Sequence, residues 1–294
     1  MHHHRRSLGD HIFDTVNYVI LVVLMILTFY PFYYIFVGSL SDVSQIAKHG
    51  ALLFFPKGFT LNTYKAVLQD PRILTGFRNT IFYVVVGTSI NMILTTFAAY
   101  ALSRKWLAGR KIIMFFIVVT MFFSGGLIPN FLVVQKLGMF NTVWALLLPG
   151  AMSAWNLIVM RTYFLTLPVS LEESARIDGA NDFQILLKVI LPISKPIIAV
   201  MFLFYAVDHW NSWFPASIYL QDKSMYPLQL VLREILIQGR VADFGGLDMG
   251  HVTRAVAKNL KYATIIVSTV PILLVYPFIQ KYFVKGVMIG SLKE

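Results

Sequence analysis

The chain is built around apolar runs about as long as a lipid bilayer is thick. Residues 16–36, 80–102, 112–133, 143–160 and 262–280 contain no Asp, Glu, Lys or Arg, and 197–220 contains one, Asp208. A helix needs about 20 mostly apolar residues to cross the hydrocarbon core, so each run is a candidate span, with 143–160 short but adequate. The runs are continuous rather than alternating, which favours helices over a β-barrel. Composition agrees: hydrophobic residues make up 57% and charged residues 13%, and mean hydropathy is +0.68. Ordinary soluble domains carry about 25% charged residues, so a soluble globule could not hide this much apolar surface. The expected fold is therefore all-α and polytopic, with six transmembrane helices. Disorder, collagen-like and disulfide-scaffold classes are excluded. There are no cysteines, so there is no disulfide, thiolate zinc site or cysteine nucleophile.

The domain reading is a short N-terminal tail, 1–12, and a single membrane domain, 13–294. His2, His3 and His4 are set aside from fold reasoning, because a tag remnant and a native start look alike. The first apolar run is too long for a signal-peptide core and has no small-residue cleavage site after it, so it is read as a retained span. Pro31, Pro129, Pro149, Pro271 and Pro277 fall in or near the runs. Proline is tolerated in lipid where neighbouring helices satisfy the freed carbonyls.

Net charge is +11. The basic residues sit mostly between the apolar runs, where they contact headgroups and set topology; a nucleic-acid surface is the poorer reading. The two shortest loops set the orientation. Residues 103–111 hold Arg104, Lys105, Arg110 and Lys111, whereas 134–141 hold only Lys136. The first loop is thus placed in the cytoplasm, and an even number of spans puts both termini there.

Three longer segments leave room for function: 39–78 outside, 161–195 inside and 211–261 at the outer side. In the last, Leu228, Val231, Leu232, Ile235 and Leu236 recur at helical spacing, which predicts a short helix over 227–238. It could lie on the membrane surface or cap the bundle, and the sequence favours neither.

The inner segment 167–196 reads LPVSLEESARIDGANDFQILLKVILPISKP. Ser170 with Glu173 three residues later has capping-box spacing and starts a helix that runs to about Asp178. Gly179 supplies a turn. A second helix starts near Asp182, carries Phe183, Leu186, Leu187 and Ile190 on one side, and ends at Leu191-Pro192. The pair is too polar to cross a membrane and predicts a helical hairpin at the cytoplasmic surface.

Glu173-Ser174-Ala175, three residues, Gly179, nine residues, Val189, one residue and then Leu191-Pro192 resembles the EAA loop of permease subunits of bacterial binding-protein-dependent ABC importers. Ser174 and Val189 stand where that pattern has alanine and isoleucine. The surrounding Ala175-Arg176-Ile177-Asp178-Gly179-Ala180 is similar to the carbohydrate-importer branch, which includes the smaller maltose permease. The resemblance spans most of the chain. It implies a coupling loop between helices four and five that docks in a groove of a separate ATPase, with Glu173, Ser174, Ala175, Asp178, Gly179, Ala180, Leu191 and Pro192 as coupling residues. Glu173 and Asp178 would anchor the loop to basic partners. The implied partners are a second, homologous permease, two ATPase subunits, an extracytoplasmic solute-binding protein, membrane lipid and an oligosaccharide, in the bacterial inner membrane. No Gly-Lys-Ser or Gly-Lys-Thr occurs, so ATP and magnesium would be bound by the partner ATPase and no cofactor by this chain.

Polar groups at membrane depth are costly and usually functional. Asp208, His209, Trp210, Asn211 and Trp213 cluster in the fifth run, where aromatic faces and amides suit a sugar path; an interfacial aromatic belt is the alternative. Trp210-Asn211 resembles a pair found at this place in carbohydrate permeases. Asn91 and Asn156 either line the same path or bind helices together. Ser124-Gly125-Gly126 breaks the third run before Pro129. His251 has no partner at metal-ligand spacing and is read as a surface residue. No paired carboxylates, metalloprotease, nucleophile-elbow or dinucleotide motif occurs, so the chain is not expected to be an enzyme or to hold a metal. The long outer loop around Met225-Tyr226-Pro227-Leu228-Gln229 resembles the permease branch for complex or polymer-derived saccharides, and the basic balance favours an acidic one, such as an alginate-type uronate chain. The rival reading is an ion-gradient-driven secondary carrier, which would need internal repeats and midplane ionisable groups; only Asp208 approaches that.

Overall fold

The computed structural model describes residues 8–42, 54–237, 259–274 and 277. Among the described residues every regular element is helical and there is no strand. The elements are α1 (Leu8–Ser39), α2 (Asn62–Gln69), α3 (Pro71–Ser103), α4 (Arg110–Phe122), α5 (Leu127–Lys136), α6 (Trp144–Leu147), α7 (Ala154–Leu165), α8 (Ser170–Ile177), α9 (Asp182–Ile185), α10 (Lys195–Asn211), α11 (Phe214–Tyr219), α12 (Leu228–Ile237) and α13 (Asn259–Leu274).

The chain divides into two compact units. One comprises Met1–Asp70 with Ile235–Thr269. Its α1 has 32 residues; at about 1.5 Å rise per residue it is longer than a hydrocarbon core of about 30 Å. Among the described residues nothing buries its apolar window. The C-terminal end of α1 is tied to its neighbours by specific contacts. A Cβ on Gly38 would lie 2.7 Å from the Tyr262 ring, so glycine is what allows α1 and α13 to approach. Asn259 Nδ2 donates to the Ser41 carbonyl (2.8 Å), and the Ser39 and Tyr64 hydroxyls share a bond of 2.6 Å.

The second unit comprises Pro71–Glu234 with Val270–Glu294. Its shaft is α3, 33 residues long, against which α10 and α7 pack. Asp70 is extended, as a residue before proline must be, and Pro71 opens α3 where a missing N–H costs nothing. The buried side of α3 is small and polar, with Thr80, Gly87, Thr88, Asn91, Thr95 and Ala99 among its members. Small residues let helices approach closely in lipid, and the hydroxyls and amide can bond across the contact.

Three of the six apolar runs prove to be broken. The run 112–133 forms α4 and α5, bent by 117°. The interruption falls at Ser124-Gly125-Gly126, as read from the sequence, and Gly126 (φ +83°, ψ 175°) adopts a conformation closed to residues with a side chain. The run 143–160 was expected to be continuous; instead α6 ends at Leu147, Pro149-Gly150 turns the chain, and Ser153 caps α7 by accepting from the Asn156 N–H (3.3 Å). The run 197–220 also departs from a single helix. α10 stops at Asn211, Ser212 is extended, and α11 follows; Pro215 has no N–H to give the Asn211 carbonyl four residues back. The described residues thus contain two helices long and apolar enough to cross a membrane singly, or up to four if each bent pair counts as one. The last run is described only through α13, and the remainder of 262–280 lies outside the described residues, as does His251.

The predicted outer helix is present as α12. Leu228, Leu230, Val231, Leu232 and Ile235 are buried, so it caps protein rather than lying free on lipid. Its N-terminus is seated on α3: a Cβ on Gly76 would be 3.1 Å from the Leu228 Cα, and the Leu228 N–H donates to the Thr80 hydroxyl (2.8 Å).

Candidate functional site

The hairpin is the most built feature of the second unit. α8 ends in a two-bond glycine cap: the Gly179 N–H donates to the Arg176 carbonyl (3.0 Å) and the Ala180 N–H to the Ala175 carbonyl (2.9 Å). This geometry needs a left-handed residue, and Gly179 has φ +81°. It also explains the alanines. Ala175 and Ala180 flank the cap, and both pack against the buried cluster that contains Tyr100, Phe164 and Met201. Glu173, Ser174, Asp178 and Gly179 face outward, and Ile177 is 87% exposed. The hairpin thus presents an apolar tip ringed by polar groups.

Two local expectations are corrected. The capping box is not formed by Ser170 and Glu173: Ser170 is the first residue inside α8, and no side chain caps that end. It is formed at the second helix, where the Asn181 side chain accepts from the Gln184 N–H (2.9 Å) and the Gln184 side chain accepts from the Asn181 N–H (3.0 Å). Nor does Leu191-Pro192 end that helix. A π-turn over Leu186–Ile190 leads into a helical Leu191–Ile193, and the chain turns at Ser194, bending by 88° into α10. Ile185, Leu186 and Ile190 are buried, whereas Phe183 and Leu187 of the expected face are exposed. Phe183 stacks on Phe97 of α3, centroids 5.9 Å apart. Leu191 is half-buried and Pro192 exposed.

Sequence reasoning missed the residues that hold the hairpin. Glu172, beside the predicted Glu173, turns inward and forms an ion pair with Arg104 just beyond α3; both side chains are 9% exposed. Burial pushes the Arg104 guanidinium below its ordinary range, an effect opposed by Tyr100. Arg104 had counted only as a topology charge. The available signal was helical spacing: Glu172 shares the inward face with Ala175, three residues on, and a carboxylate there needs a cation. Arg176 bonds Asp182 across the turn (2.7 Å) and lies 5.8 Å from the Trp106 ring centroid. That pair is exposed, and such pairs contribute about 0–1 kcal/mol.

The seven path candidates do not converge on one point. His209 is buried in the notch at Gly87 and bonds the Asn91 Oδ1 through its Nε2 (2.6 Å). The Asn91 amide in turn donates to the Gly150 carbonyl (2.8 Å), a backbone acceptor left open by the break in the fourth run. Thr95 and Tyr205 share a bond of 2.7 Å, and the Tyr205 hydroxyl accepts from the Ser153 N–H (3.2 Å). These polar groups bind helices together and satisfy irregular backbone where lipid could not. Asn156 is buried at the start of α7. Asp208 and Asn211 are exposed, and the Asn211 amide donates to its own helix at Val207 (2.9 Å). Trp210 meets the edge of Phe77, and the Arg233 guanidinium lies 3.6 Å from the Trp213 ring centroid. No metal-binding cluster of His, Asp or Glu occurs among the described residues.

Residues 73–289 match the family described as the binding-protein-dependent transport system inner membrane component. The chain belongs to that family. Membership places it among the membrane components of binding-protein-dependent ABC importers rather than ion-gradient carriers, as its EAA-like motif implied. Among relatives, it is 41% identical over 284 residues to the polygalacturonan/rhamnogalacturonan transport system permease protein YtcP of Bacillus subtilis, covering 97% of this chain and 99% of that one. It is 40% identical over 293 residues to protein LplC of the same organism, covering 100% and 99%. Its fold is similar to a chain in the crystal structure of a bacterial ABC transporter involved in the import of the acidic polysaccharide alginate, with TM-score 0.86, 35% identity and coverage of 95% and 99%.

Proposed function

We propose that this chain is one of two membrane-spanning subunits of an ATP-driven importer for oligosaccharides, worked by a separate ATPase that docks on the 167–196 hairpin. The observation that carries the reading is the hairpin itself: an apolar tip at Ile177, ringed by Glu173, Ser174 and Asp178, on a scaffold capped at Gly179 and bonded to the bundle. An apolar knob with a polar rim is what a groove on a partner protein recognises. Ile177 is wasted if it faces water. The partners are a second, homologous permease, two ATPase subunits that bind ATP and magnesium, and an extracytoplasmic binding protein that delivers the sugar. The remaining apolar runs complete six spans in the bacterial inner membrane, with both termini in the cytoplasm. Asp208, Trp210, Asn211 and Trp213 line the sugar's way, while Asn91 and His209 hold the helices around it.

The saccharide is acidic. A relative is named for polygalacturonan and the solved neighbour imports alginate, both polymers of sugar carboxylates. The net charge of +11 suits an anionic cargo.

The test is co-purification and uptake with the co-expressed ATPase. Ala175→Glu, which puts a charge into the half-buried face, and Gly179→Pro should abolish both. Uptake that survives removal of every ATPase subunit would sink the importer reading. Unchanged uptake by Asp208→Asn would remove that residue from the path.

A further inference from the structure

We infer that Arg104 and Glu172 form the joint through which movement of the hairpin reaches α3, and that they are positioning residues for coupling transport to ATP hydrolysis. The inference rests on the function proposed above. It starts from how much one side chain holds. The Arg104 Nε donates to the Ser103 Oγ at the end of α3 (2.9 Å), and its Nη2 reaches the Phe164 carbonyl near the end of α7 (3.5 Å). Its Nη1 pairs with Glu172 of α8, and its guanidinium lies 4.6 Å from the Tyr100 ring centroid. Three elements therefore meet at one buried cation.

The hairpin also packs on the bundle through apolar contacts, with Ile185, Leu186 and Ile190 against Tyr100, Phe164 and Met201. Apolar contacts are non-directional and let elements slide. For holding power alone, well-packed apolar residues in place of a buried ion pair would serve as well or better. What the pair adds is direction, because the planar guanidinium fixes the angle of everything bonded to it. A push on Ile177 moves α8, Glu172 carries it to Arg104, and Arg104 turns the end of α3. That helix is unbroken for 33 residues. Thirteen residues along it, about 20 Å away at helical rise, stands Asn91, which holds the Gly150 carbonyl and His209. The hairpin is thereby linked to the broken segments beside the proposed sugar path.

The experiment uses the complete importer in proteoliposomes with its binding protein loaded with an oligogalacturonide. Uptake per ATP hydrolysed and ATPase co-purification are measured for Arg104→Gln, Glu172→Gln and the Arg104→Glu/Glu172→Arg exchange. The single variants should keep the ATPase, since the outer face of α8 is untouched, yet lose uptake per ATP by about fivefold or more, the size of a coupling free energy. The exchange should recover part of that loss. A purely structural role would lower the amount of complex and leave uptake per ATP unchanged. Arg104→Lys and Glu172→Asp keep both charges and alter only reach and geometry, so they should assemble even if the glutamines do not, with an intermediate ratio. Wild-type uptake per ATP in any assembled single variant, or an exchange no better than the singles, overturns the joint. A wild-type complex that retains no ATPase would instead mean that the importer reading had failed.

Discussion

Two glycines show how differently the same residue type can be required. At Gly179 no atom stands within 4 Å of where a Cβ would sit, so only the backbone conformation, φ +81°, demands glycine. Gly179→Ala should therefore cost about 1–2 kcal/mol, the penalty of a left-handed L-residue. Gly179→Asn should cost less, since asparagine visits that region more readily. Thermal unfolding of the detergent-solubilised protein reads the difference, and equal losses for the two would argue against a conformational cause. At Gly87 the reason is space: a Cβ would lie 2.4 Å from the His209 Nε2. Gly87→Ala should push His209 off Asn91 at a cost of about 1–3 kcal/mol. Asn91→Ala, which leaves the His209 ring nitrogen and the Gly150 carbonyl without their partner, should cost about as much. Because both changes break one contact, the double variant should lose clearly less than the sum of the singles. Additive losses would mean that the Asn91–His209 bond is not what Gly87 protects.

At the scale of elements, the caps separate what spacing suggests from what the chain does. Ser170→Ala should leave the hairpin's stability within a few tenths of a kcal/mol, because that side chain caps nothing. Asn181→Ala removes a working cap and should cost about 1 kcal/mol. Hydrogen exchange at the amides of 183–185 distinguishes them, and protection lost in the serine variant alone would reverse the assignment. The hairpin's halves, its glycine turn, the break at Ser124-Gly125-Gly126 and the outer helix α12 were legible in sequence because each carries a local signal. The breaks at 148–153 and 212–213 were not read, although Pro149-Gly150 and Pro215 mark them, because proline is tolerated inside a membrane span. In lipid a segment must be apolar whether or not it is continuous, so hydropathy is blind to a break whose backbone is satisfied from elsewhere. The Gly150 carbonyl is satisfied by Asn91, 59 residues away, and the Ser153 N–H by Tyr205, 52 away. Only the fold brings these partners together. Glu172 escaped for a related reason: two adjacent glutamates look alike until the helix phase assigns one to the core.

For the whole molecule, α3 sorts the loops of its unit into two groups. Near its start, the Asn79 amide donates to the Ser224 and Tyr226 carbonyls (2.7 and 3.0 Å). The Asn141 side chain accepts from the Gln221 and Asp222 N–H groups (2.8 and 2.9 Å), so 134–141 and 221–226 share that end. Beyond the other end of α3, Arg104 meets the hairpin at Glu172. The basic loop with Lys105, Arg110 and Lys111 and the hairpin therefore lie together, with Lys136 and Lys223 opposite. If one end faces the cytoplasm, the richer cluster of lysine and arginine should mark it. The absence of cysteine makes this directly testable, since each introduced thiol is the only one in the chain. Lys136→Cys and Lys223→Cys, both exposed, should react with a membrane-impermeant maleimide added outside spheroplasts. Lys105→Cys and Ile177→Cys should react only in inside-out vesicles, and the thiol at position 177 should be protected when the ATPase is bound. Labelling of 105 and 177 from outside would invert the topology and leave the hairpin nothing cytoplasmic to dock with. Labelling of 105 and 136 from the same side would deny that α3 and the bent α4–α5 pair separate two faces of a membrane at all.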